Sequence, residues 1–264
     1  MRNVVKNFDG ENFDLTKIVN QIKSLALNDS PKEKIIVILG ATSTGKSSLA
    51  VQLAEIFATE IISADSMSVY KNFNIGTAKP SIAEREKIRH HLIDILEPNE
   101  KFSVAEFVKL ATPIVTNLNY EGKIPIIAGG TGLYIQALIE GYKFGDGVKS
   151  RENFFAATGE LKYAAQVYGL TLPREILYER INQRTEKMFA AGLVDEVKQL
   201  LADGVDENAQ AMLGIGYKEV VEYLHGKFSL DETISRVKQA TRNFAKRQLT
   251  WYRRMNYVKW LSIA

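Results

Sequence analysis

Residues 40–47 read Gly-Ala-Thr-Ser-Thr-Gly-Lys-Ser, and this run limits what the chain can fold into more than any other. It follows Lys34-Ile-Ile-Val-Ile-Leu39, a continuous apolar segment of the kind found in strands buried on both faces. It leads into residues 47–57, where Leu49, Leu53 and Ile56/Phe57 recur at helical spacing. Strand, glycine loop and helix in that order make a phosphate-binding loop, the arrangement shared by ATP- and other nucleotide-binding proteins of the P-loop class. Gly40 and Gly45 let the backbone curl so that the N–H groups between them, those of Thr42, Ser43 and Thr44 included, face one anion. The helix that starts there adds the positive end of its dipole. Lys46 supplies a point charge, and the Ser47 hydroxyl suits a phosphate-bound Mg²⁺.

From residue 34 onward, strand-like and helix-like segments alternate. Candidate strands are 34–39, 60–64, 91–96 and 124–128, with a further sheet-like run from Ala164 to Leu172. Capping boxes at Ser103–Glu106 and Ser229–Glu232 mark two helix starts, and Pro173 opens a helical region that lasts almost to the end. This order predicts an α/β fold: a P-loop NTPase-like parallel sheet flanked by helices, with a mostly helical C-terminal part. Residues 1–33 form an N-terminal extension, in which Leu15, Ile18, Val19, Ile22 and Leu25/Ala26 share one side of a short helix over 15–27. Residues 34–264 form the core, with a polar, poorly periodic stretch at about 143–160.

Cysteine is absent, which excludes disulfides and thiolate metal sites. No apolar run approaches the length of a membrane span, and the first ten residues lack the apolar centre of a signal peptide, so a cytoplasmic enzyme is expected. The net charge is only +3, but residues 233–264 hold eight Lys/Arg and no Asp/Glu, which points to a polyanionic partner.

Ligands of parallel sheets sit at the carboxyl ends of the strands, so residues just past each strand are the candidates. Asp65, in Ile61-Ile-Ser-Ala-Asp-Ser66, can hold Mg²⁺ through water or accept a proton, or it can cap a helix. The strand at 124–128 ends in Gly129-Gly130-Thr131, with no acid of the kind that ATPases and GTPases carry. Arg180 and Arg184 stand at i and i+4 on a helix predicted over 176–191, either as a phosphate clamp or as a solvated face paired with Glu179 or Glu186. In the last helix Ile234, Val237, Thr241, Phe244 and Trp251 are expected to face the core, while Arg242 and Lys246 share another face with Arg253 near it. His90 and His91 are adjacent on a predicted strand and point to opposite faces, a poor metal pair; one is expected in the core and one as a polar contact.

In order along the chain, Gly40–Ser47, Ile62–Ser66, Val69-Tyr70, Ile75–Pro80, His90–Asp94, Gly129–Thr131 with Leu133-Tyr134, Leu170–Glu175, Gly214–Glu219 and Ala245–Trp251 resemble the motifs of the tRNA dimethylallyltransferase family. The resemblance runs from about residue 34 to about 260. It implies transfer of a dimethylallyl group from dimethylallyl diphosphate to N6 of an adenine beside the tRNA anticodon. On that model Gly40, Thr42, Ser43, Thr44, Gly45, Lys46 and Ser47 bind the diphosphate, and Ser47 also serves Mg²⁺. Asp65 matches the general base, Thr131 a residue near the amine, and Arg184 an arginine that steadies the departing diphosphate. The anticodon stem-loop is expected at Asp65, Ser66, Met67 and Ser68 and on the last helix at Arg242, Lys246 and Arg247, with the protein acting as a monomer.

The chain also departs from the family. Members carry a helical, tRNA-gripping insertion where only residues 142–169 lie here. Ser68, Asn74 and Leu213 stand for a usual glutamine, aspartate and glutamine, and the sequence ends soon after Trp260, where the family continues into a last helix. Three rivals follow: an isopentenyltransferase acting on free adenine nucleotide, a small-metabolite P-loop kinase, and an inactive RNA-binding relative. The missing acid after residue 128 argues against the kinase, and Lys46, Ser47 and Asp65 argue against the inactive relative.

Overall fold

The computed structural model describes residues 4–6, 12–144 and 161–263. A six-stranded sheet carries the fold, and every strand pair in it is parallel. Its order is β5 (His90–His91), β4 (Ile61–Ser63), β6 (Ile126–Ala128), β3 (Lys34–Gly40), β7 (Ala164–Thr171), β8 (Lys259–Ser262). Strand β3, the one that ends in the phosphate loop, is central. The chain leaves it first toward β4 and β5 and only later returns to add β7 and β8 on the other side. The crevice outside the carboxyl ends at such a reversal is where ligands of open sheets bind. A short antiparallel ribbon, β1 (Val4–Lys6) with β2 (Asn12–Asp14), stands apart from this sheet.

Alternation along the central strand assigns its two faces. Ile35, Val37 and Leu39 pack into one core with Ile62, Ile127 and Val167, covered by α4 (Val104–Tyr120), α5 (Gly132–Ile139), α7 (Leu193–Ala202) and α8 (Tyr217–Leu224). Ile36 and Ile38 pack into the other with Ile61, Ile126, Tyr168 and Leu170, covered by α1 (Thr16–Ala26), α2 (Lys46–Phe57) and α6 (Arg174–Ala190). Each fully buried aliphatic side chain contributes roughly 1.5–3 kcal/mol to this three-layer arrangement. The N-terminal extension is part of it: Leu15, Ile18, Ile22 and Leu25 are buried, and Tyr168 donates a hydrogen bond to Gln21 (2.9 Å).

Both predicted capping boxes close. Ser103 and Glu106 exchange bonds at 3.2 and 2.7 Å to start α4, and Ser229 and Glu232 do so at 3.3 and 2.8 Å to start α9 (Leu230–Tyr252). A third, Ser81 with Glu84, starts the short α3 (Ile82–Lys87).

Three expectations need correction. The strand predicted over 91–96 stops at His91, because Leu92 (φ 61°) and Asp94 (φ 55°) are left-handed and leave the sheet. The Asp94 carboxylate is drawn off the strand line to Lys79 (2.5 Å) and Arg85 (2.6 Å), charges that an apolar-run argument does not see. Residues 259–262 continue past the basic helix as edge strand β8, paired with β7 in register Tyr168↔Lys259. On α9 the buried stripe is Thr233, Val237, Ala245, Gln248 and Tyr252, while Phe244 and Trp251 are only partly covered. Most of the stretch at 143–160, from residue 145 on, lies outside the described residues.

Candidate active site

The phosphate loop is shaped from within. Gly45 caps α2 at φ +85°, a conformation costly for any residue with a Cβ. The Ala41 carbonyl accepts from the Thr44 hydroxyl (2.8 Å) and from Lys46 Nζ (2.7 Å), so both side chains are drawn onto one backbone oxygen. Of the expected diphosphate residues, Thr42, Lys46 and Ser47 line a cleft at the carboxyl end of the sheet. Thr44 is buried with its hydroxyl already used, and Ser43 is left-handed (φ 64°) with a buried, unpartnered hydroxyl. Gly40 and Gly45 shape the turn and lie outside the lining.

The same cleft is lined by Asp65 and Ser68 after β4, Ala128 at the end of β6 with Gly129 and Gly130 after it, and Arg184 from α6. Arg180, its i−4 neighbour, does not belong to the lining, so the predicted arginine pair is divided. Asp65 caps no helix. Its Oδ1 accepts from the Met67 N–H (2.9 Å), which turns the loop and leaves the second oxygen on the Gly130 side of the cleft. Thr131 lies outside the lining; its hydroxyl oxygen accepts from the Ser66 N–H (3.0 Å), and its own N–H donates to the Ala64 carbonyl (3.1 Å). It thereby ties the Asp65 loop to the β6 loop. Met67 packs against Gly214.

The electrostatics are one-sided. Burial, followed by the nearby Arg184 charge, pushes Lys46 down to about 7, with Asp65 pulling the other way. Arg184 is lowered by burial, again opposed by Asp65. Among the described residues neither cation has a carboxylate within 4 Å. Two cations half out of water without a paired anion are unfavourable by themselves, and an anion that enters the cleft relieves both. No group of three or more His, Asp or Glu able to hold a metal occurs among the described residues.

Thr77, Ala78 and Pro80 also line the cleft; they belong to the Ile75–Pro80 motif, to which the sequence reading assigns no role, and the segment is pinned at both ends. The Glu196 carboxylate accepts from three successive N–H groups, Asn74 (3.0 Å), Ile75 (2.8 Å) and Gly76 (3.2 Å), and from the Tyr217 hydroxyl (2.7 Å). Lys79, its side chain 2% exposed, bonds Asp94 and the Tyr70 carbonyl. Arg184 touches the Thr77 carbonyl at 3.5 Å, the outer limit of a hydrogen bond. His90, Ile93, Phe244 and Gln248 also line the cleft. Both histidines prove to be polar contacts: His90 Nδ1 meets the Ile88 carbonyl (2.7 Å) and His91 Nε2 meets Glu60 (2.6 Å). Gln248 is absent from the stripe read from the sequence (Ile234, Val237, Thr241, Phe244 and Trp251) and stands in that reading only inside the family motif Ala245–Trp251.

The basic surface of α9 is mixed. Lys246 and Arg247 are exposed, with Arg247 5.8 Å from the Phe244 ring. Arg242 is held by Asn182 (2.7 Å) and Gln239 (2.8 Å).

A parallel sheet with a phosphate loop on its central strand, and two cations and a carboxylate in one cleft, defines a P-loop NTPase-like α/β protein with an anion-receptive site. A family model described as IPP transferase matches residues 68–164 and 148–255. A tRNA dimethylallyltransferase of Carboxydothermus hydrogenoformans is 42% identical over 86% of this chain and 91% of its own length. One from Pelotomaculum thermopropionicum is 38% identical over 89% and 93%. The first alignment runs over 285 positions, more than the 264 residues of the chain, so that relative has residues without a counterpart here. Among solved structures, the tRNA isopentenylpyrophosphate transferase of Bacillus halodurans superposes with a TM-score of 0.79 at 37% identity, covering 88% of this chain and 90% of the other. A eukaryotic dimethylallyltransferase acting on tRNA gives 0.77 at 26% identity, covering 87% and 74%. The chain belongs to the IPP transferase family.

Proposed function

We propose that this protein is a tRNA dimethylallyltransferase: it moves a dimethylallyl group from dimethylallyl diphosphate to N6 of an adenine next to the anticodon. The observation that carries the reading is the pairing, in one cleft, of two unneutralised cations with one free carboxylate oxygen. Lys46 and Arg184 receive the diphosphate. As the C1–O bond breaks, the electron pair leaves with the diphosphate, and both cations stabilise the growing charge. The adenine amine attacks C1, and its proton passes to Asp65. The adenine must leave its stack to reach this depth, and Ser66, Met67 and Ser68 border its path. Lys246 and Arg247 on α9 take the RNA backbone, a contact that salt weakens. A bound Mg²⁺ would neutralise part of the diphosphate charge, and the exposed Ser47 hydroxyl, an oxygen donor of the kind Mg²⁺ takes, would help to hold it. On this reading the protein acts as a monomer in the cytoplasm, where a tRNA-modifying enzyme meets its substrate.

The test is incubation with labelled dimethylallyl diphosphate and Mg²⁺ together with an anticodon stem-loop, AMP, or neither. Label on the stem-loop is expected; label on AMP alone overturns the RNA assignment. Asp65→Asn should lower transfer at least about 100-fold with diphosphate affinity little changed. Full activity in that variant removes Asp65 from its role.

A further inference from the structure

Gln248 touches both halves of the cleft. It lies on α9, 5% exposed, and its Oε1 accepts from the Thr42 N–H of the phosphate loop at 2.9 Å. Its Nε2 donates to the Gly130 carbonyl at 2.8 Å. The two bonds dictate the amide orientation, because an N–H needs the oxygen and a carbonyl needs the nitrogen. A Cβ built on Gly130 would stand 2.6 Å from that nitrogen, so the glycine admits the amide. The partners lie 206 and 118 residues away in sequence, and nothing local joins them. The Thr42 N–H is therefore committed to Gln248 and is not a free donor for the phosphate loop. The Gly130 side leads through Thr131 to Ser66 and Asp65.

We infer that Gln248 is a positioning residue for the transfer reaction: it sets the spacing between the loop that holds the diphosphate and the segment that holds the proton-accepting carboxylate. The inference rests on the proposed function, since only a reaction with one partner on each side is sensitive to that spacing. Displacement of about 1 Å between reacting groups costs on the order of 100-fold in rate. The phosphate loop keeps its own internal bonds from Ala41 to Thr44 and Lys46, so anion capture does not depend on Gln248.

The experiment compares the parent with Gln248→Met, which keeps length but makes neither bond, and with Gln248→Leu as a second shape. Transfer to the stem-loop gives kcat and KM, calorimetry gives pyrophosphate affinity, and melting reports the fold. The expected result is kcat lower by about 10- to 100-fold, with pyrophosphate affinity and donor KM within about threefold of the parent. Unchanged kcat overturns the inference. So does a loss that falls wholly in KM and pyrophosphate affinity, or a failure of both variants to fold, since the residue then serves binding or the fold itself. A parent protein without transfer activity would sink the proposed function instead, a result distinguishable from all of these.

Discussion

Loop 40–47 and segment 74–80 both contribute to the lining of the cleft, and they are held in different ways. The phosphate loop makes most of its shape from its own residues: Gly45 supplies a left-handed turn, and the Ala41 carbonyl gathers Thr44 and Lys46 within five positions, with the Thr42 N–H tied to the distant Gln248. Segment 74–80 also has local bonds, from the Ala78 N–H to the Ile75 carbonyl (3.1 Å) and from the Lys79 N–H to the Asn74 carbonyl (3.3 Å), but the N–H groups of Asn74, Ile75 and Gly76 go to Glu196, 120 to 122 residues downstream, and its glycine exists for a ring on α8. Gly45 and Gly76 show the difference. A Cβ on Gly45 meets nothing within 4 Å, and only the φ of +85° excludes one. A Cβ on Gly76 would meet the Tyr217 ring at 2.4 Å, so space alone excludes it. One glycine answers to backbone torsion and the other to tertiary packing.

The strongest way to break the comparison is Glu196→Ala. It strips one carboxylate from four donors, and about 3 kcal/mol of stability should be lost, with transfer falling as the Thr77 wall loosens. Denaturant melts measure the first and kcat the second; a change under 1 kcal/mol would show that the wall stands without its distant anchor.

The glycines give a sharper, smaller test. Gly76→Ala should cost about 1–3 kcal/mol by overpacking, and most of that should return when Tyr217 is also cut to alanine. Gly45→Ala should cost roughly 1–2 kcal/mol, and the same Tyr217 change should leave that figure untouched. A double-mutant cycle reads both, and coupling of Gly45 to Tyr217 would contradict the assignment.

The smallest expected effect is a fraction of one proton. Free Lys46 is depressed from its ordinary 10.5 to about 7, so between these values the unfolded chain holds a proton that the folded chain lacks, and this group's contribution to stability rises with pH across that window. A bound diphosphate favours the charged amine and raises it again. Pyrophosphate binding at pH 8 should therefore take up protons, and affinity should weaken as pH rises above about 7. Calorimetry in two buffers of different ionisation heat measures the uptake, with Lys46→Ala as the control for protons carried by the ligand. Equal uptake in the two proteins would show that Lys46 does not answer to the anion.

Much of this molecule follows from short stretches of chain. The run from Lys34 through Phe57 forms strand, loop and helix as read, both capping boxes close, and the alternation of segments yields the parallel sheet, because each depends on neighbours within a few residues. The positions of Lys46 and Asp65 in one cleft follow from strand ends in such a sheet. The strand expected over 91–96 failed where Lys79 and Arg85 claimed Asp94, and Arg184 parted from Arg180 because one turn of α6 reaches the cleft while the turn before it does not. Sequence alone determined the phosphate loop, the sheet that carries it and the family motifs, since backbone torsion and hydrophobic period act over a handful of bonds. Tertiary structure alone decided that Glu196 and Gln248 hold the walls of the cleft, since a hydrogen bond that spans a hundred residues or more leaves no periodic trace in the chain that makes it.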